Sequence, residues 1–193
     1  AERPYLGTDL CATLRLWLEP DEQPKSKLAV ACFGQDRFTT PLRVKAAMDK
    51  ALLQAGVQYL TGCYVTDVLR DNDGQLAGIV MANRSGRQAV RAKVIVDATC
   101  RAAVARLANA DFRPFVPGPL TCQRVVIGGG EMRSGQNLSV ERKDFTYAST
   151  VNKTSQRLPV YVYTLHVELE NHSVAAFAKA EHQARDMTHA EGS

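Results

Sequence analysis

Leu14, Leu16 and Leu18 alternate with Arg15 and Trp17, a period of two that predicts a short strand. Glu19-Pro20-Asp21-Glu22-Gln23-Pro24 then interrupts regular structure, and a second apolar run over residues 28–33 ends at Gly34. Thr40-Pro41 opens a helix. Threonine is a good N-cap, and proline costs nothing at the first helical position, where its missing N–H has no partner anyway. Leu42, Ala46, Met48, Ala51, Leu52 and Ala55 give this helix a broad apolar face, and Gly56 suits the position just past its end.

Strand patterns follow. Residues 57–60 read as a short strand and residues 64–69 as a longer one. Asp71-Asn72-Asp73-Gly74 is a turn, because glycine adopts positive φ without strain and Asn or Asp tolerates it. Residues 75–82 return as a strand, Asn83-Arg84-Ser85-Gly86 is a second turn, and residues 88–91 form a third strand. Together they predict a three-stranded β-meander. Val94-Ile95-Val96 follows at once. A run of β-branched residues suits a strand buried on both faces, the parallel-sheet type. Asp97-Ala98-Thr99-Cys100 ends that strand, and the alanine-rich residues 101–109 predict a helix.

Past Asp111 the texture changes. Pro114, Pro117, Gly118 and Pro119 mark a crossing, residues 121–127 a strand, and Gly128-Gly129-Gly130 a turn. A polar stretch of weak pattern runs to about residue 156. Residues 158–169 are a long β candidate, and Ser173 caps a last helix whose apolar side carries Val174, Ala175, Phe177, Ala178 and Ala184.

Composition narrows the function classes. The 193 residues are 45% hydrophobic and 23% charged, close to the globular average. A domain takes roughly 100–200 residues, so one domain or two small ones are expected. The net charge is +4, and the basic residues are dispersed without interleaved aromatics, so no nucleic-acid partner is expected. No uncharged apolar run approaches a membrane span, and Ala1-Glu2-Arg3-Pro4 does not open a signal peptide, so no membrane is expected and a cytoplasmic location is. Five cysteines without a C-x-x-C suit free thiols in a reducing compartment, not a disulfide framework or a zinc site. The four histidines show no ligand spacing, so no metal is expected. Gly128-Gly129-Gly130 lacks the G-x-G-x-x-G spacing, and neither a P-loop nor a G-x-S-x-G elbow occurs.

The strongest chemical candidate is the strand-to-helix junction Val94-Ile95-Val96-Asp97-Ala98-Thr99-Cys100. Ligands of open α/β sheets bind beyond the carboxyl ends of the strands, small residues let backbone approach a ligand, and a helix N-terminus favours a phosphate. Residues 40–112 carry this junction in a wider frame: the helix with "ALLQAGV", then Gly62-Cys63-Tyr64-Val65-Thr66-Asp67-Val68, then Gly78-Ile79-Val80, then Ala92-Lys93-Val94-Ile95-Val96 with Asp97-Ala98-Thr99, and the helix over residues 103–110. In that order they resemble the FAD-dependent oxidoreductases with a glutathione-reductase-like flavin-binding fold.

The resemblance implies an α/β chain, α+β overall. Residues 1–112 would be a partial Rossmann-like FAD-binding domain with the inserted meander, and residues 113–193 part of a β-rich substrate domain. It also implies a stretch internal to a longer flavoprotein, since the family's opening G-x-G-x-x-G segment is not among these residues. By that resemblance Val65 touches the adenine through its backbone, and Ala98, Thr99 and Cys100 line the FAD. Family members usually carry glycine where this chain has Cys100, and a side chain there would crowd a close approach. The implied activity is hydride transfer between a small-molecule substrate and FAD bound by the parent protein; this stretch alone need not hold the flavin or be active. Arg124, His166, Tyr161 and Tyr163 are strand-borne candidates to act on substrate, and no residue stands out as catalytic. The alternative is a non-catalytic α/β binding or interaction module that retains a flavoprotein-like sheet. A sheet lacking its first strand exposes an edge and apolar surface, so a homodimer is a further expectation.

Overall fold

A computed structural model describes residues 1–129, 133–151 and 154–189. The chain divides into two compact units, residues 1–12 with 16–113 and residues 13–15 with 114–193. The secondary structure is mixed, with two three-stranded antiparallel sheets and few helices, an α+β arrangement.

In the first unit, α1 (Thr8–Cys11) and α2 (Lys27–Phe33) pack on α3 (Pro41–Gln54). Thr40 caps α3 as expected: its hydroxyl accepts from Arg43 N–H, and Pro41 occupies the first turn. Val44 of α3 is fully buried. Residues 14–18 do not form a strand. Only Trp17 bridges, antiparallel to Phe38, because a single rung joins the two segments. Residues 57–60 are likewise irregular. The meander is present, with β1 (Tyr64–Arg70), β2 (Leu76–Asn83) and β3 (Gly86–Arg91) in spatial order β1-β2-β3. Asp71 builds its first turn: the carboxylate accepts from Asp73 N–H and Gln75 N–H, and Gly74 sits at φ +78°.

The expected buried strand at Val94-Ile95-Val96 is corrected by the structure. Ala92 N–H donates to Ala77 C=O as a last rung beyond β3, after which the chain leaves the sheet. Val94 and Val96 are 78% and 84% exposed. β-branched residues favour extended backbone, but a parallel strand also needs neighbours on its edges and faces. Among the described residues nothing pairs there, and every strand pair is antiparallel. The short α4 (Ala103–Leu107) follows, packed beside β1.

In the second unit β4 (Gly118–Ile127), β5 (Leu138–Val151) and β6 (Thr154–Leu169) form a sheet in the order β4-β6-β5, and α5 (Val174–Thr188) covers one face. Central β6 places Tyr161, Tyr163, Leu165, Val167 and Leu169 under α5, where they meet Ala180 and Ala184. Ser173 caps α5 through its hydroxyl, which accepts from Ala176 N–H. Gly128 and Gly129 end β4 at φ +91° and +83°; Gly130, Glu131 and Met132 lie outside the described residues.

Candidate functional site

The junction after Val96 is a closed hydrogen-bonded loop centred on Asp97. One carboxylate oxygen, Oδ1, accepts from Thr99 N–H at 2.9 Å and from the Thr99 hydroxyl at 2.8 Å. The other, Oδ2, accepts from Ala105 N–H at 2.9 Å. The Thr99 hydroxyl accepts in turn from Ala103 N–H at 2.7 Å. A hydroxyl has one proton to give and two lone pairs to offer, so Thr99 relays between the carboxylate and the helix backbone. Donors gathered around an anion favour its charged form, and the Asp97 carboxyl is held below its ordinary value, first by Ala105 N–H and then by Thr99.

This geometry changes the reading of the helix. Asp97 and Thr99 already occupy the first backbone donors of α4, so its N-terminus does not offer them to a phosphate. The loop instead fixes the backbone path of residues 97–105. Ala98 and Cys100 are exposed and Thr99, turned inward, is half-buried. The one residue of this turn in the left-handed region is Ala102, at φ +50°, not Cys100. A side chain at position 100 therefore meets no backbone objection. Cys100 is the exposed thiol of the five; Cys11, Cys32 and Cys63 are buried and Cys122 half-buried.

Val65 lies on β1 opposite Met81. A register shift between Val65 and Asp67 leaves Thr66 outside the pairing, a bulge beside the residue implicated in adenine contact. The structure ties Thr99 to α4 and α4 to β1. Asp97 was absent from the expected site residues. Its signal was the D-x-T spacing at a strand end before a helix, the pattern of a side chain that accepts from N–H groups further on.

The strand-borne candidates of the second unit do not converge. Arg124, Tyr161 and Tyr163 share the face under α5, with Tyr161 and Tyr163 at 5% and 1% exposure. His166 is on the opposite face, exposed, its Nδ1 2.9 Å from the Thr121 hydroxyl. Alternation along β6 separates them, since even and odd positions point opposite ways. On β5, Tyr147 buries its hydroxyl without a partner among the described residues, and burial pushes the phenol up to about 12. Burial likewise pushes the Cys122 thiol up.

The sequence profile of the family described as FAD dependent oxidoreductase matches residues 8–188. The chain belongs to that FAD dependent oxidoreductase family. No curated protein matches it. The FAD dependent oxidoreductase profile runs through both units, so the second sheet is part of the family pattern and not an unrelated appendage. Among the described residues, no helix is long and apolar enough to cross a membrane. Nor do three His, Cys, Asp or Glu side chains group to hold a metal ion.

Proposed function

We propose that this chain is part of an FAD-dependent oxidoreductase in which residues 94–96 join a Rossmann-like sheet as one strand and residues 97–100, just past its end, lie along the flavin nucleotide. A segment outside these 193 residues would supply the neighbouring strand and the pyrophosphate site. Residues 1–112 then belong to the cofactor domain and residues 113–193 to the substrate domain. The observation that carries the reading is the Asp97–Thr99–α4 loop. It holds a stretch of small, accessible backbone in a fixed path next to exposed apolar surface at Val94 and Val96.

The residues fit the cofactor in a limited way. Ala98 is small and exposed, the Thr99 side chain is turned away into the loop, and the Thr66 bulge leaves backbone groups of β1 free of the ladder beside Val65. Bound FAD would supply the electron acceptor for hydride transfer from a small-molecule substrate. The chain's own part there is to position: Asp97 and Thr99 set the backbone, and Ala98, Cys100 and Val65 present it. The alternative, a non-catalytic module with a flavoprotein-like sheet, is favoured by one observation, the occupied N-terminal donors of α4.

The two separate on the protein encoded by the complete open reading frame. Under the enzyme reading it retains flavin absorbance through gel filtration, Ala98→Trp lowers FAD affinity while leaving the circular dichroism intact, and Cys100→Gly preserves or strengthens binding. A complete protein that stays colourless after reconstitution with FAD supports the alternative, and a sharp loss in Cys100→Gly contradicts the placement of residue 100.

A further inference from the structure

Arg124 carries an unsatisfied buried donor in the second unit. Its Nε is buried without an acceptor, and the guanidinium makes no hydrogen bond or ion pair among the described residues. It lines a cavity of ≈ 340 Å³ between β4 and the end of α5, together with Leu14, Val126, Arg185, Asp186 and His189. Leu14 reaches this wall in the left-handed backbone region, at φ +60°. A leucine there is strained, so the wall is held by its surroundings and does not follow from local preference.

The charge around the cavity is uneven. Two guanidinium groups and one carboxylate, Asp186, line it beside the C-terminal end of α5, whose carbonyls oppose an anion. Arg185 is committed to Glu181 by an ion pair. That leaves Arg124, whose Nε is buried without an acceptor, as the unsatisfied donor of the wall. A buried donor without an acceptor costs free energy, whereas a planar oxyanion can take two parallel N–H bonds from one guanidinium. The volume lies at the small end of ligand cavities.

We infer that this cavity is a binding site for a small oxyanion, a carboxylate or a phosphate, with Arg124 as the bidentate anchor. The inference stands apart from the flavin reading, because it concerns a different unit and needs no cofactor.

Isothermal titration of the protein with succinate and, separately, with inorganic phosphate tests it, at ionic strength held constant with chloride. Saturable binding of one equivalent of either probe is expected, and the probe that binds more tightly identifies the chemistry. Charge-assisted hydrogen bonds of this kind predict a roughly 10- to 100-fold loss of affinity in Arg124→Leu. Arg185→Gln should weaken binding less, and the distant Arg157→Gln should not change it. Arg124→Leu should also keep or raise the melting temperature without ligand, since it removes an unsatisfied buried group. That result separates a binding arginine from a structural one. The inference is overturned if neither probe gives saturable heat, if Arg124→Leu binds as wild type, or if Arg124→Leu melts well below wild type.

Discussion

Replacing Thr99 by valine keeps the shape of the side chain and deletes its hydroxyl. Two hydrogen bonds go with it: the 2.8 Å donation to Asp97 and the 2.7 Å acceptance from Ala103 N–H. The Ala103 donor then has no side-chain partner, and Asp97 keeps Thr99 N–H and Ala105 N–H. Losing a capping oxygen costs about 1 kcal/mol, with a range of roughly 0.5–2. Thr99 is half-buried, so water replaces part of the loss. For a unit of this size that predicts a fall in melting temperature of roughly 4 °C. Because α4 spans five residues, the effect should be concentrated there, with faster amide exchange at Ala103 and Ala105 and little change in β2. Thr99→Ser retains the hydroxyl and should restore both readouts. Valine and wild type with equal melting temperatures and equal exchange at Ala103 would refute the role given to this hydroxyl.

Three further outcomes follow from named contacts. The Asp97 carboxyl is held below its ordinary value in the folded chain, so its stabilising contribution is present above the unfolded value of about 3.9 and is lost as pH falls through the folded one. An acid titration of α4 amide exchange should show that loss in wild type and lack it in Asp97→Asn; identical acid profiles would contradict it. Leu165, 0% exposed at the centre of β6, should cost about 2–5 kcal/mol on truncation to alanine in urea unfolding, and a cost below about 1 kcal/mol would mean the core is not where β6 places it. Gly78→Ala puts a Cβ into the Val90 carbonyl oxygen across the β2–β3 ladder, so a destabilisation of roughly 1–3 kcal/mol is expected, and a neutral variant would contradict the close approach of these strands.

The features legible in the sequence are those set by neighbouring residues. Asp71 and Gly74 specify a turn whoever their partners are, so the meander emerges within a residue or two of its expected bounds. Thr40 and Ser173 are caps for the same reason. Strand β5 was not legible. Leu138 and Val140 begin an alternation, but a register shift between Arg142 and Thr146 moves Phe145 and Tyr147 off its period, and the charged Lys143 and Asp144 fall in the break. Burial at Val94-Ile95-Val96 was not legible either, since three β-branched residues state a backbone preference and say nothing about what lies on either side. In the candidate site, Ala98, Thr99 and Cys100 were found through the strand-to-helix pattern. The anchoring role of Asp97 emerged only once α4 was seen to bend back on it, eight residues on at Ala105.

The claim at the centre is that the exposed backbone around Ala98 and Cys100 lies against FAD. Cys100 reports on it without mutation, as the exposed thiol beside three buried and one half-buried cysteines. Alkylation of the complete protein, read by peptide mass, should modify Cys100 rapidly in the cofactor-free form. Saturating FAD should slow that reaction strongly while leaving Cys122 unaffected. Unchanged alkylation of Cys100 in protein that demonstrably holds FAD would place the flavin elsewhere.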